Sequence, residues 1–151
     1  MMDFHWYSQN ELVNASAPGH VHPMTVRVQD VDAAGTMFFA HVFEYCHDAY
    51  MAFLLDRDGV LNEEGRIWGQ PLLRVEAHFL KPLRFTDRFD VHMALAWVDG
   101  SCVTVGFRLL HAGRVAAVAQ LARVFIDLKT GKKMDVPARA AAALRSIGGG
   151  A

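Results

Sequence analysis

The sequence has little net charge, few cysteines and no long apolar run, and each absence excludes a class of protein. The 151 residues carry a formal net charge of -1, which leaves no broad basic field for nucleic acid. No apolar run approaches the roughly 18 residues that cross a bilayer, and the segment MMDFHWYSQNEL lacks the pattern of a signal peptide. Cys46 and Cys102 are not in CxxC spacing, which favours reduced thiols. We therefore expect a cytoplasmic protein with no nucleic acid and no membrane among its partners.

Motifs for a serine nucleophile or a metal site are also missing. No GxSxG turn occurs in the chain. Cys46 falls within an apolar helical pattern, so we expect a buried, inert thiol. The histidines do not have the spacing of a metal-ligand cluster, and His41 and His47 are six residues apart on different faces of a helix. The sequence thus predicts no metal and no cofactor.

The first half of the chain predicts a strand, a turn and one long helix. Residues 24–30 alternate apolar and polar side chains, which predicts a half-buried strand with Val26 and Val28 on one face. Gly35 breaks this pattern. Apolar residues then recur at three- and four-residue steps, which predicts a helix over residues 39–55 that stops near Asp58-Gly59. Residues 1–20 show no period and are interpreted as an N-terminal extension to a single domain, 21–151.

The second half predicts four antiparallel strands and a short helix. The alternating segments are residues 72–79, 88–97 and 101–110, followed by a long apolar strand over 114–128. Asp99-Gly100 and Ala112-Gly113 are typical hairpin turns, and Pro137 opens a C-terminal helix over 137–147. The order predicts an α+β domain in which one long central helix packs on an antiparallel sheet of about five strands.

Several of these segments together resemble a known family. They are the strand with DVDAAG and the following helix start, the single long helix, LRVEAHFLKPLRFTDRFDV and VFIDLKTGKKMDVP. In order and spacing they resemble the hotdog-fold acyl-CoA thioesterases of the 4-hydroxybenzoyl-CoA thioesterase family, over roughly residues 25–137. The stretch CHDAY is also similar to the branch that hydrolyses 1,4-dihydroxy-2-naphthoyl-CoA.

The resemblance implies a hotdog fold, in which the sheet wraps the helix, and a homodimer or homotetramer with active sites at the subunit interface. It also implies the hydrolysis of an acyl-CoA, with coenzyme A present only as part of the substrate. By position, Asp32 matches the family's catalytic carboxylate. Phe39 matches the residue whose backbone N–H contacts the thioester carbonyl.

The residues themselves suit this chemistry. Asp32 can attack the thioester carbon or act as general base toward water, and the sequence does not choose between the two. The helix start FFAH contains no Ser, Thr, Asp or Asn cap, so its free N–H groups can polarise a carbonyl. The alternative is a cap from Thr36 or from a bound water. We expect Asp30, on the same side of the predicted strand as Asp32, to bond loop backbone and support it.

The predicted substrate-binding residues are Gly35, Met37, Phe38, His41 and Tyr45. Packing alone is an equal interpretation of the last four. The phenylalanines before the helix favour an aromatic acyl group. The cations expected to be available for coenzyme A are Lys81, Arg84, Arg88, Arg108, Arg123, Lys129, Lys132 and Lys133.

Three alternative functions remain open. A short-chain acyl-CoA thioesterase would share the same site. A hotdog hydratase would need a histidine about five residues after the aspartate, where this chain has Met37. A non-catalytic acyl-CoA or acyl-carrier binding module would bind the ligand without turnover.

Overall fold

The computed structural model describes residues 3–16, 18–57 and 67–148. The strands are β1 (His20–Thr25), β2 (Trp68–Gly69), β3 (Leu72–Phe79), β4 (Arg88–Asp99), β5 (Cys102–His111), β6 (Arg114–Val124) and β7 (Ile126–Asp127). The α-helices are α1 (Gln9–Asn14), α2 (His41–Leu55) and α3 (Ala138–Arg145). Five strands form one antiparallel sheet in the order β1-β4-β5-β6-β3, and β2 pairs with β7. The predicted α+β class and five-stranded sheet are confirmed.

Helix α2 packs one stripe of side chains against the inner face of the sheet. Five residues at three- and four-residue steps along it are fully buried, namely Val42, Tyr45, Cys46, Ala49 and Phe53. The helix begins at His41, two residues after the predicted start, and the predicted stop at Asp58-Gly59 lies outside the described residues. Along the described chain, no helix has the length and apolarity required to cross a bilayer.

Strands β4, β5 and β6 form a meander, and β3 pairs with β6 instead of with β4. Of the two predicted turns, Ala112-Gly113 is confirmed, whereas the first turn is Gly100-Ser101, one residue later than the predicted Asp99-Gly100, because Asp99 still pairs with Cys102. Ala112 and Gly113 both have positive φ angles, 50° and 74°, as a two-residue type I′ hairpin requires. The predicted long strand over 114–128 is wrong in one respect, because it is interrupted at Phe125. That residue is fully buried and its N–H donates to the carbonyl of Ser101 at 2.8 Å, so the chain leaves β6 and β7 pairs with β2.

The predicted strand over residues 24–30 is wrong. The strand β1 occupies His20–Thr25, whose first residue is the last of the predicted extension, and Val28–Asp30 forms a 3-10 turn. The physical reason is Asp30, whose carboxylate accepts the Nε–H of Arg27 at 2.7 Å and its backbone N–H at 3.4 Å. The turn exposes 66% of Val28, which the alternation had placed on the strand's buried face.

The N-terminal segment lies on the outer face of the protein's own sheet, where it also reaches the edge strand β3 through Trp6, which contacts Arg74 and Glu76. Leu12 of α1 is fully buried, and a Cβ at Gly106 of β5 would collide with it. Tyr7 bonds through its backbone to the side chain of Gln120, with N···O distances of 2.9 and 2.7 Å. The central strand β5 is therefore covered on both faces.

Candidate active site

The loop between the 3-10 turn and α2 is closed by its own backbone. The N–H of Asp32 donates to the carbonyl of Thr36 at 2.9 Å, and the N–H of Gly35 donates to the carbonyl of Asp32 at 3.0 Å. Gly35 has φ +79°, a conformation that side chains disfavour. The Asp32 Oδ1 accepts the Ala34 N–H at 2.8 Å, as in an Asx turn. These bonds hold the Asp32 side chain at the tip of a short, fixed loop.

Asp32 lies in a cleft of about 380 Å³ that we call the Asp32 cleft. Its lining residues are Asp32, Thr36, Met37, Phe39, Phe79, Leu80, Lys81, Pro82, Leu83 and Ala117. The carboxylate is exposed, and within the described chain only one of its oxygens, Oδ1, accepts a hydrogen bond. The cleft thus combines an accessible carboxylate with mostly apolar walls.

The N-terminus of α2 borders the same cleft. Ala40 occupies the N-cap position, and no side chain caps the helix, as predicted. The amides of His41 and Val42 donate to the carbonyls of Phe38 and Phe39 at 3.0 and 3.4 Å. The N–H groups of Phe39 and Ala40 have no acceptor among residues 3–16, 18–57 and 67–148. The positive end of the helix dipole therefore presents free donors beside the cleft.

Asp30 lies apart from Asp32 and supports the loop from within. It is 1% exposed, and its carboxylate accepts hydrogen bonds from the Arg27 guanidinium and the Tyr45 hydroxyl. Burial alone would raise the pKa of Asp30, but the bonds from Arg27 and Tyr45 outweigh it and lower the pKa. Its backbone carbonyl accepts the Phe38 N–H at 2.8 Å, which fixes the chain directly before Phe39. The expectation that both aspartates share one side of a strand is wrong, because the 3-10 turn separates them.

The other predicted substrate-binding residues lie in three kinds of place: the cleft, the loop before α2 and the core. Of these, Met37 lines the cleft and Gly35 shapes the loop. Phe38 packs against Phe39 with the rings tilted by 52° and their centroids 4.5 Å apart. Tyr45 is fully buried and packs edge-on against a core phenylalanine, so it belongs to the core and does not line the cleft.

His41 belongs to a polar group at the start of α2. Its Nδ1 lies 2.9 Å from a Glu44 oxygen and 3.7 Å from an Asp30 oxygen. The ligand atoms of Asp30, His41 and Glu44 lie close enough together to hold a metal ion. However, the Arg27 guanidinium already lies against both carboxylates, at 2.7 Å from Asp30 and 3.8 Å from Glu44. A cation of the protein itself therefore takes the place of a metal in this group.

The far wall of the cleft was missed by sequence reasoning. It comes from the segment after β3, residues 79–83, of which only Lys81 had been considered as a coenzyme A cation. Backbone bonds hold this wall, since the amides of Leu80 and Lys81 donate to the carbonyl of Ala116 at 2.9 and 3.0 Å. The Met37 N–H donates to the Leu83 carbonyl at 2.7 Å and joins the two walls. The sequence feature that indicated this wall was Pro82, which predicts a bend after the strand over residues 72–79.

Comparison with known proteins places the chain in a family. Residues 26–144 match the thioesterase-like superfamily. The 1,4-dihydroxy-2-naphthoyl-CoA hydrolase of Thermosynechococcus vestitus is 31% identical over 119 residues, which are 75% of this chain and 80% of that protein. The enzyme of the same name from Synechococcus elongatus is 25% identical, over 76% of this chain and 86% of that protein.

A solved structure shares the fold. The 1,4-dihydroxy-2-naphthoyl-CoA thioesterase from Synechocystis superposes with a TM-score of 0.72 at 22% identity, over 83% of this chain and 94% of that one. Together with the sequence relatives, this confirms the predicted hotdog fold and the predicted class of enzyme, a thioester hydrolase. The chain belongs to the thioesterase-like superfamily.

Proposed function

We propose that the protein hydrolyses an aromatic acyl-CoA to the free acid and coenzyme A in the Asp32 cleft. One observation carries the proposal: the Asp32 carboxylate and the unbonded Phe39 N–H border the same apolar cleft. Hydrolysis of a thioester needs these two groups, one to deliver or become the nucleophile and one to stabilise the oxyanion. The names of the relatives, which act on a naphthoyl-CoA, support the aromatic acyl group.

Asp32 carries the nucleophilic step in one of two ways. As nucleophile, its oxygen bonds to the thioester carbon, the C–S bond breaks, and water hydrolyses the resulting anhydride. As general base, it takes a proton from water while the water oxygen attacks and the thiolate leaves. The bond from Ala34 to Oδ1 holds the carboxylate and leaves Oδ2 available for either route.

The start of α2 stabilises the carbonyl oxygen. The Phe39 N–H has no protein acceptor in the described chain and lies at the positive end of a buried helix. As the thioester carbonyl becomes an oxyanion, that N–H can donate to it without first breaking another protein bond. The adjoining Asp30 carbonyl keeps the backbone in place through the Phe38 amide.

In the bound substrate, the coenzyme A portion extends out of the Asp32 cleft past Lys81. This residue lines the Asp32 cleft and also a neighbouring groove with His111 and Arg114. The groove offers cationic groups to phosphates, and the mechanism requires no metal and no further cofactor. The free, buried cysteines Cys46 and Cys102 support a reducing, cytoplasmic location.

The active protein is at least a homodimer joined through β3. This strand is one edge of the five-stranded sheet, and it exposes Leu72, Val75 and Phe79. An unpaired edge with exposed apolar side chains is a template for a second strand. Antiparallel pairing about a two-fold axis extends the sheet and covers the open side of the Asp32 cleft, where Phe79 lies.

The substitution Asp32→Asn tests the catalytic proposal. We expect kcat/KM for an aroyl-CoA to fall by roughly 10²–10⁴-fold, because the amide neither attacks nor accepts a proton. Asp127→Asn is the matched control, since the Asp127 Oδ1 accepts the Lys129 N–H at 2.7 Å in the same kind of turn, outside the cleft. Circular dichroism should show both variants folded.

The substrate panel comprises 2-naphthoyl-CoA, 1,4-dihydroxy-2-naphthoyl-CoA, benzoyl-CoA and acetyl-CoA, with thiol release as the readout. Faster hydrolysis of the aromatic thioesters supports the proposal. Preference for acetyl-CoA would identify a short-chain thioesterase, and binding without thiol release would identify a binding module. Near-normal turnover by Asp32→Asn contradicts the role of Asp32.

A further inference from the structure

Arg123 of β6 is a buried cation with no carboxylate beside it. The residue is 5% exposed, and among the described residues no acidic group lies within ion-pair distance of it. Its guanidinium donates to the Gln70 carbonyl at 3.3 Å, covers the Tyr50 ring at 4.8 Å and contacts His47 at 3.0 Å. Burying an unneutralised guanidinium is costly, so its contacts call for an explanation.

The contact between Arg123 and His47 fixes the form of the imidazole. A guanidinium only donates, so the His47 Nδ1 must be the acceptor and carries no proton. Burial and the neighbouring Arg123 charge both lower the pKa of His47, which keeps the ring neutral. The neutral ring then has its proton on Nε2. His47 is thus a fixed hydrogen-bond donor through the nitrogen that Arg123 does not contact.

His47 borders a groove of about 390 Å³, the His47 groove, between α2 and the sheet. Its lining residues are Arg27, Phe43, Glu44, His47, Asp48, Leu72 and Leu121. Leu72 pairs with Arg123 across β3 and β6, and Leu121 precedes Arg123 by two residues on the same strand face. Arg123 therefore lies behind the groove, with His47 between it and the open space.

The proposed dimer brings this groove to the active site of the partner subunit. The His47 groove is at the Leu72 end of β3, and the Asp32 cleft is at the Phe79 end. Antiparallel pairing of two β3 strands places the Leu72 end of one beside the Phe79 end of the other. The groove of one subunit then continues the cleft of its partner.

We propose that His47, held by Arg123, recognises a ring oxygen of the acyl group bound in the partner subunit's Asp32 cleft. The ligand class is an aromatic acyl group bearing a hydroxyl or carbonyl oxygen. The Nε2–H donates to that oxygen, and the nearby carboxylates of Glu44 and Asp48 can accept a hydroxyl proton. His47 contacts substrate and determines specificity, whereas Arg123 is a positioning residue. The inference rests on the proposed thioesterase function and on the β3 dimer.

The test compares His47→Phe and His47→Gln with a matched pair of substrates, 1,4-dihydroxy-2-naphthoyl-CoA and 2-naphthoyl-CoA. The phenylalanine keeps a ring without a donor, and the glutamine amide keeps a donor near the position of Nε2. We expect His47→Phe to lower kcat/KM about tenfold for the dihydroxy substrate and much less for 2-naphthoyl-CoA, which has no ring oxygen to bind. His47→Gln should restore most of the difference. An equal fall for both substrates, or no fall for either, overturns the proposal.

A second histidine supplies the control. The Nδ1 of His92 lies 3.5 Å from the guanidinium of Arg108, outside both the cleft and the groove. His92→Phe should therefore leave the ratio of the two kcat/KM values unchanged. The same change in ratio from His92→Phe and His47→Phe would contradict a specific role for His47.

A nuclear magnetic resonance experiment examines Arg123 independently of turnover. The ¹⁵N shifts of His47 should show the neutral Nε2–H form in the wild-type dimer, and Arg123→Gln should admit the other tautomer and weaken discrimination between the two substrates. An Nδ1–H form in the wild type overturns the proposal. Failure of the wild-type protein to hydrolyse any aroyl-CoA would instead overturn the thioesterase proposal, and the tautomer would still report on Arg123.

Discussion

The outer face of the sheet and its β3 edge differ in how far the protein's own chain covers them. On the outer face, the protein's own N-terminal segment covers the strands and forms hydrogen bonds with three of their polar side chains. Both Gln120 side-chain atoms bond to the Tyr7 backbone, the Thr104 hydroxyl donates to the His5 carbonyl at 2.8 Å, and Arg108 donates to N-terminal carbonyls.

The β3 edge is covered only in part, because Trp6 of the N-terminal segment contacts Arg74 and Glu76 while apolar side chains of the strand stay exposed. Leu72, Val75 and Phe79 expose 49%, 40% and 50% of their surface there, close to the cleft and the groove. Apolar side chains along a free backbone edge favour association with a like strand. The contrast teaches that the outer face stabilises a single subunit, whereas the β3 edge is the place where we propose that subunits and substrate meet.

The largest effect is expected from a charge on the β3 edge, which tests whether this edge is the subunit interface. Val75 is next to the midpoint of β3, so two Val75→Glu carboxylates would lie close together across the two-fold axis. We expect a monomer in sedimentation experiments and a loss of turnover of about 100-fold or more, because both subunits complete the site in the proposed dimer.

Val21→Glu is the matched control for that experiment. Val21 is a similarly exposed valine, at 44%, on β1, the opposite edge strand of the same sheet. This variant should remain a dimer and keep its activity. If Val75→Glu stays dimeric and active, or if both variants dissociate alike, the assignment of β3 as the interface is wrong.

A substitution on the outer face should lower the stability of the subunit without affecting turnover or association. Leu12 is the buried anchor of α1 against Gly106. Leu12→Ala should lower the free energy of unfolding by about 2–5 kcal/mol, the range for deleting a buried leucine side chain. Turnover and subunit association at 25 °C should be unchanged, because neither the cleft nor β3 is touched.

Asn10→Ala, an exposed change in the same helix, controls for helix propensity. Urea unfolding monitored by fluorescence gives the stability, and thiol release gives the activity. A large loss of activity from Leu12→Ala without unfolding would show that the two surfaces are coupled, which contradicts the contrast.

Much of the fold was predictable because the pattern there is local. The bounds of β3 and the hairpin turn at Ala112-Gly113 follow from alternation and from turn-forming residues, and the turn predicted at Asp99-Gly100 is displaced by only one residue. The 3-10 turn at Val28–Asp30 was missed because a contact between side chains decides it. Asp30 bonds to Arg27 and to Tyr45, fifteen residues away, and alternation contains no sign of that bond.

Only the wall of the Asp32 cleft that comes from residues 32–39 was predictable from the sequence. Asp32 and Phe39 belong to one continuous motif, so their neighbourhood follows from the sequence. Leu80 and Pro82 reach the cleft through hydrogen bonds between distant segments, which the pattern of either segment does not encode. The cover of the sheet by Leu12 was missed for the same reason, since residues 1–20 show no period of their own.

The smallest predicted effect sharpens the difference between the two aspartates beside the cleft. Asp30→Asn should lower the free energy of unfolding by about 1–3 kcal/mol at pH 7, because a buried charged acceptor for Arg27 is lost. The pKa of Asp30 is depressed in the folded protein, below the usual unfolded value of about 3.9. Its stabilisation is therefore fully present above the unfolded value and is lost as the pH falls through the folded one. The gap between wild type and variant in urea unfolding should be constant near neutral pH and shrink below about pH 4. A gap that widens in acid would contradict the role of Asp30 as an ionised support for the loop, whereas Asp32→Asn should change the stability little at pH 7 because that carboxylate is exposed.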